Sequence, residues 1–183
     1  CVYPAERADG KKVTTVEGLA KKNSNAIQLH PLQEAFALYG AVQCGFCIPG
    51  QLMTSYALLQ ENLSPSSEEI RFALKDTLCR CAGYPSIESA IKAAADSLRT
   101  KQSVVSPEEH ITDTERKVIG HDHVRPDAIE KVTGTAIYTD DLKFKDMLYA
   151  AVKRAGVPHA IVRRLEIEKA KKLKGVSCIL TSS

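Results

Sequence analysis

The sequence predicts an α+β fold in which a four-helix bundle is followed by the beginning of an α/β domain. Apolar residues recur at helical spacing through residues 30–99, which predicts the helices. A polar and charged segment at 100–117, with a single proline, predicts a linker. Beyond residue 118, short alternating stretches predict strands. A chain of 183 residues is long enough for one large domain or two small ones.

The four helices of the predicted bundle have recognisable starting points. Pro49 suits the first turn of the second helix, and the spacing of Ser66 to Glu69 at the start of the third matches a capping box. Residues 1–29, before the bundle, are loop- and strand-like. The predicted helices span 32–42, 49–61, 66–78 and 86–99.

The α/β pattern in the second half is shorter and more mixed. It predicts strands at 147–153, 160–167 and 176–180, and a short helix at 168–173. We expect Cys178 to be a small buried residue of the last strand.

Two close pairs of cysteines lie in the predicted bundle, Cys44 with Cys47 and Cys79 with Cys81. If the helices run antiparallel, the loop between the first two and the loop between the last two lie at the same end of the bundle. Each of these loops carries one pair. We therefore expect the four thiols to converge, and we call this group the four-cysteine site.

Paired cysteines in a chain without a secretion signal indicate bound metal rather than disulfides. Four thiolates suit a [2Fe–2S] cluster, in which each pair can serve one iron. They also suit structural zinc, although zinc knuckles are typically spaced more widely than the Cys79-Arg80-Cys81 pair. Spacing alone leaves both metals open. Arg80 either offsets the negative charge of the site or is an ordinary exposed arginine.

Composition argues against several classes of function. The net charge is +3 and the basic residues are scattered, so no nucleic-acid partner is indicated. No apolar stretch approaches the ~20 residues of a membrane span, so no membrane partner is expected. Because no leader opens the chain, we expect a cytoplasmic protein. The chain starts at Cys1 rather than at methionine, and we expect it to be a segment of something longer.

Two stretches around the cysteine pairs resemble a known family. They are Gln43-Cys44-Gly45-Phe46-Cys47-Ile48-Pro49-Gly50 and Cys79-Arg80-Cys81-Ala82-Gly83-Tyr84. Both are similar to the second iron–sulfur domain of the molybdenum hydroxylases, the xanthine dehydrogenase and aldehyde oxidoreductase family. Segments at 125–128, 131–134, 136–138 and 158–160 resemble the opening α/β-hammerhead of that family's molybdenum-binding part. The two parts follow each other without a flavin domain, as in the aldehyde oxidoreductase type.

The resemblance implies a four-helix [2Fe–2S]-binding bundle followed by a partial α/β-hammerhead domain. Its domain boundaries would be 1–29 for the tail of a plant-type ferredoxin domain, 30–99 for the bundle, 100–117 for the linker and 118–183 for the hammerhead. By position, Cys1 resembles a ligand of a second, distal cluster whose other ligands this sequence lacks. The implied ligands of the cluster in the bundle are Cys44, Cys47, Cys79 and Cys81.

The resemblance also implies a role and neighbours. Gln43 and Cys81 would approach the pterin of a molybdopterin cofactor, and the segment would pass electrons from the molybdopterin centre through its [2Fe–2S] cluster. The implied partners are the remaining molybdenum-binding domain or subunit, a ferredoxin-type [2Fe–2S] region and, as a further candidate, a flavin subunit. No catalytic acid, base or nucleophile can be named, and the organic substrate and electron acceptor stay open. The alternative function is a binding or assembly module with structural zinc.

Overall fold

The computed structural model describes residues 3–23, 26–107, 117–119, 121 and 123–182. Chain packing separates it into two compact units, residues 1–136 and 137–183. Its regular secondary structure is mainly helical, with one small antiparallel strand pair among the described residues. The elements are β1 (Lys21–Asn23), β2 (Ala26–Gln28), α1 (Pro31–Leu38), α2 (Ile48–Glu61), α3 (Ser67–Ala73), α4 (Tyr84–Thr100), α5 (Ala128–Thr133) and α6 (Glu168–Lys171).

All four predicted helices are present in the first unit, as α1 to α4, with shifted ends. Helix α1 stops at Leu38 rather than at residue 42, because Gly40 adopts a left-handed φ of 62° that leaves the helix. Helix α3 ends at Ala73 and tightens into a 3-10 turn. Helix α4 begins two residues earlier than predicted, since Pro85 fits its first turn. The predicted capping box of Ser66 and Glu69 is formed.

The core of this unit is made by apolar stripes at helical spacing. Helix α1 packs most extensively on α4, and α2 and α3 pack on each other. The fully buried large side chains of these helices include Leu32, Phe36, Leu52, Ile70 and Ile91. Burying them provides the hydrophobic stabilisation that holds the loops between the helices in place.

Helix α5 also belongs to the first unit and packs on α1 and α2. Its anchor is Gln33, a fully buried residue of α1. The Gln33 Nε2 group donates to the carbonyl oxygen of Val132 in α5 at 2.9 Å and to that of Val16 at 3.2 Å. Residues 128–133 therefore pack with the helices of the first unit. The domain boundary predicted after residue 117 differs from this division into compact units, and it stays a prediction.

The second unit contains no strand among its described residues, 137–182, so the strands predicted at 147–153, 160–167 and 176–180 are wrong for this structure. A strand needs a neighbour to satisfy its backbone hydrogen bonds, and none of these segments lies beside one within the described residues. Cys178 is exposed rather than buried. The short helix predicted at 168–173 is present as α6.

The described helices give no candidate for a membrane span. The longest of them, α4, has 17 residues, and no helix in the described part combines the required length with sufficient apolarity. The cytoplasmic location stays a prediction.

Candidate metal centre

The first cysteine pair lies where the chain turns from α1 into α2. Gly45 takes a left-handed φ of 87°, which bends the loop between Cys44 and Cys47. Cys47 is the residue that caps α2, and its carbonyl oxygen accepts the first helical hydrogen bond from the Gln51 N–H at 2.9 Å. Its thiol therefore sits at the positive end of a 14-residue helix.

The second pair lies in the tight loop that leads into α4. The Ala82 N–H donates to the Cys79 carbonyl oxygen at 3.2 Å, and Ala82 has a left-handed φ of 56°. The hydroxyl oxygen of Tyr84 accepts a hydrogen bond from the Cys79 N–H at 2.7 Å. The first residue of α4 thus fixes the backbone of the cysteine loop before it.

The structure brings all four thiols together, as the antiparallel geometry predicts. Cys44 is hydrogen-bonded to Cys81, and Cys47 to Cys79, so each contact joins one loop to the other. Cys79 is buried, Cys47 and Cys81 are partly buried, and Cys44 is exposed. The four-cysteine site is therefore a group of free thiols that contact each other across the two loops, with one side open to solvent.

The backbone around Cys79 is arranged to hold a thiolate. Burial raises the pKa of this thiol, but hydrogen bonds from the backbone of Gly83, the Cys47 thiol and the backbone of Cys81 and Ala82 lower it below the ordinary value. Consecutive backbone N–H groups pointing at one atom form an anion-binding nest. The loop thus stabilises negative charge on sulfur without any basic side chain.

The other thiols show that the site needs a cation to ionise fully. A hydrogen bond from the Phe46 backbone and one from the Cys81 side chain lower the pKa of Cys44, and the charge of Lys131 adds to this effect. Burial, together with the contact to Cys79, raises the pKa of Cys47 to about 12. Like charges this close cannot all form unless a metal balances them. The donor set therefore fits a thiolate-bound metal group.

The grouping of the sulfurs bears on which metal fits. Among the described residues, no three His, Cys, Asp or Glu side chains gather around a point where one metal ion could bind. A [2Fe–2S] cluster does not require such a group, because its two irons divide the four cysteine sulfurs between them. The sulfurs contact each other in two pairs, Cys44 with Cys81 and Cys47 with Cys79, and two pairs match that division.

The remaining predicted site residues are less tightly held. Gln43 is exposed, and its Nε2 atom lies close to Gly83, where an added Cβ would meet it at 3.2 Å. Gln43 therefore borders the second cysteine loop. Arg80 is exposed, which agrees with the alternative that it is an ordinary surface arginine rather than a residue that offsets the charge of the site. Cys1 lies outside the described residues.

Two further residues contact the cysteine loops, and the sequence pattern did not predict these contacts. Tyr84 holds the Cys79 N–H, and the buried Lys131 of α5 donates to the Gln43 carbonyl oxygen at 3.0 Å. No periodicity or spacing signals either contact, because one depends on the loop conformation and the other joins residues 88 positions apart.

Comparison with known proteins matches both halves of the chain. Residues 15–92 match the family model of a [2Fe-2S] binding domain. Residues 133–183 match the model of the a/b hammerhead domain of aldehyde oxidase and xanthine dehydrogenase.

Individual relatives agree with these matches. The aldehyde oxidoreductase of Megalodesulfovibrio gigas is 35% identical over 187 residues, covering 99% of this chain and 20% of that protein. The small FeS subunit of nicotinate dehydrogenase from Eubacterium barkeri is 41% identical over 96 residues, covering 52% of this chain and 59% of the subunit. The crystal structure of the aldehyde oxidoreductase from Desulfovibrio desulfuricans ATCC 27774 superposes with a TM-score of 0.68 at 35% identity, covering 92% of this chain and 18% of that one. The chain thus spans about a fifth to three fifths of the length of these relatives.

Proposed function

Since this chain belongs to the aldehyde oxidase and xanthine dehydrogenase family, we propose that its four-cysteine site holds a [2Fe–2S] cluster that relays single electrons from a molybdopterin centre. The observation that carries this proposal is the convergence of two cysteine pairs from two loops within the segment that matches a [2Fe-2S] binding domain. The fold we propose around it is the four-helix bundle formed by α1 to α4, followed by a hammerhead domain.

The chain's own residues divide the work of holding the cluster. The four thiols bind the two irons, two thiols to each iron. The N–H groups of residues 81–83 face Cys79 and favour its thiolate form. Cys47 lies at the start of α2, but burial and the contact to Cys79 raise its pKa to about 12, so its thiolate forms when the metal binds. When bound, the cluster supplies reversible one-electron transfer. The open side at Cys44 is the side from which an electron donor or acceptor can approach.

We further propose the neighbours of this site in the complete protein. Gln43, beside Gly83, is the group that approaches the pterin together with Cys81. Cys1 is a ligand of a distal cluster in a ferredoxin-type region. The partners are that region and the rest of the molybdenum-binding domain or subunit, with a flavin subunit as a further candidate. The reaction of the complete protein is the hydroxylation of a purine, an aldehyde or an N-heterocycle.

Metal and sulfide analysis of the purified protein tests the proposal, together with EPR of the dithionite-reduced protein. We expect iron and inorganic sulfide in equal amounts and a reduced-state signal. Cys79→Ser should abolish the signal, because Cys79 is the most buried residue of the four and its thiol lies in the backbone nest. Cys178→Ser, at an exposed cysteine of the second unit, is the matched control and should keep the signal. Zinc without iron or sulfide would support the structural-zinc module instead.

A further inference from the structure

A buried lysine of α5 reaches the loop that carries the first cysteine pair. Lys131 is 9% exposed, and its ammonium donates to the carbonyl oxygen of Gln43, the residue before Cys44, at 3.0 Å. The same ammonium forms an ion pair with Asp127 at 2.7 Å, one helical turn away. A buried lysine is uncommon because losing its hydration is costly, and here two acceptors compensate for that loss.

The charges around Lys131 leave one net positive charge beside the site. Asp127 is shared between Lys131 and Arg125, so one carboxylate faces two cations. The charge of Lys131 contributes to lowering the pKa of the Cys44 thiol. The charge of Cys44 in turn contributes to raising the pKa of Arg125. Arg80 lies closer to the cysteines in sequence, but it is exposed, and solvent screens its charge more strongly than that of a buried group.

We propose that Lys131 is a tuning residue that raises the reduction potential of the cluster held by the four-cysteine site. The inference rests on the proposed function, because it requires that cluster. Reduction by one electron adds one negative charge to the site, and a fixed positive charge nearby favours the more negative state. The hydrogen bond to Gln43 also holds the 43–47 loop at a fixed distance from this charge. The second half of the chain thereby sets a property of a cluster bound by the first half.

Redox titration of the purified, cluster-loaded protein against dithionite, followed by EPR, tests this proposal. Lys131→Met keeps much of the side-chain length and removes the charge. We expect it to shift the oxidised-to-reduced equilibrium about tenfold toward the oxidised cluster, which corresponds to ~59 mV for a one-electron couple. Lys131→Arg keeps the charge, so its reduction potential should stay close to that of the wild type. Lys92→Met is the matched control, because Lys92 also pairs with an acidic residue four positions earlier but lies on the exposed face of α4.

A second variant decides the matter if Lys131→Met fails to load its cluster. Asp127→Asn removes a negative charge at a residue whose side chain is 44% exposed, so little packing is lost. The potential should then rise, opposite to the change in Lys131→Met. The proposal would be overturned if both variants load the cluster and both keep the wild-type potential. It would also be overturned if Lys131→Met loads no cluster and Asp127→Asn keeps the wild-type potential. Absence of iron and sulfide from the wild-type protein would instead overturn the proposed function.

Discussion

Replacing Gln33 by leucine tests how the first unit is held together. The Gln33 amide makes three hydrogen bonds at a fully buried position: it accepts from the His30 N–H at 3.0 Å and donates to the carbonyl oxygens of Val16 and Val132. These bonds join three segments that are distant in sequence. Leucine has a similar size and helix propensity but has no hydrogen-bonding group.

The expected loss of stability follows from the groups left behind. Two buried carbonyl oxygens lose their donors, and a buried polar group without a partner costs about 1–3 kcal/mol. The His30 N–H is only partly buried and can be hydrated. Burying leucine instead of an amide offsets part of the cost. We therefore expect Gln33→Leu to lower the free energy of unfolding by about 3 kcal/mol.

Urea denaturation followed by far-ultraviolet circular dichroism measures this difference. Gln60→Leu, at an exposed position of α2, is the matched control and should stay within about 0.5 kcal/mol of the wild type. A free energy of unfolding of Gln33→Leu within about 0.5 kcal/mol of the wild type would refute the reasoning.

Gln33→Glu makes the stability depend on pH, because burial and the facing carbonyl oxygens raise the pKa of a carboxyl group at this position. Its stability should be greatest below about pH 4.3, the ordinary value, and fall as the pH rises through the folded-state pKa.

Two other positions in the first unit give independent predictions. Burial lowers the pKa of His30, whose Nδ1 accepts from the Leu32 N–H at the start of α1, so the unfolded chain binds its proton more readily. The free energy of unfolding should therefore decline as the pH falls below 6.5, the ordinary value, and His30→Asn should weaken that slope while keeping the cap. Gly134→Ala should lower stability by about 2 kcal/mol in a thermal melt, because φ is +74° and the new Cβ would lie 2.7 Å from Val16 Cγ1. Gly10→Ala, with φ of +67° and open space, measures the backbone part alone, and equal losses at both glycines would exclude a role for the contact with Val16.

The helices of the first unit were predictable because their signals are local. Apolar spacing and the Ser66–Glu69 capping box depend on neighbours within four residues, and the structure has all four helices. Their ends were less predictable, since the end of α1 depends on the left-handed turn at Gly40. The strands of the second half were predicted wrongly for this structure, because alternation indicates strand propensity but does not supply a partner strand.

The sequence by itself predicted that four cysteines in two loops would meet, because antiparallel helices place those loops at the same end, and the structure brings them together. That they bind metal stays a prediction. Spacing did not choose between iron and zinc; the family resemblance and the family matches did. Only the tertiary structure decided which thiols pair across the loops and how the backbone nest around Cys79 forms. It also placed Lys131 beside Gln43, across 88 positions. Such contacts arise when α5 packs on α1 and α2, and no local pattern encodes that packing.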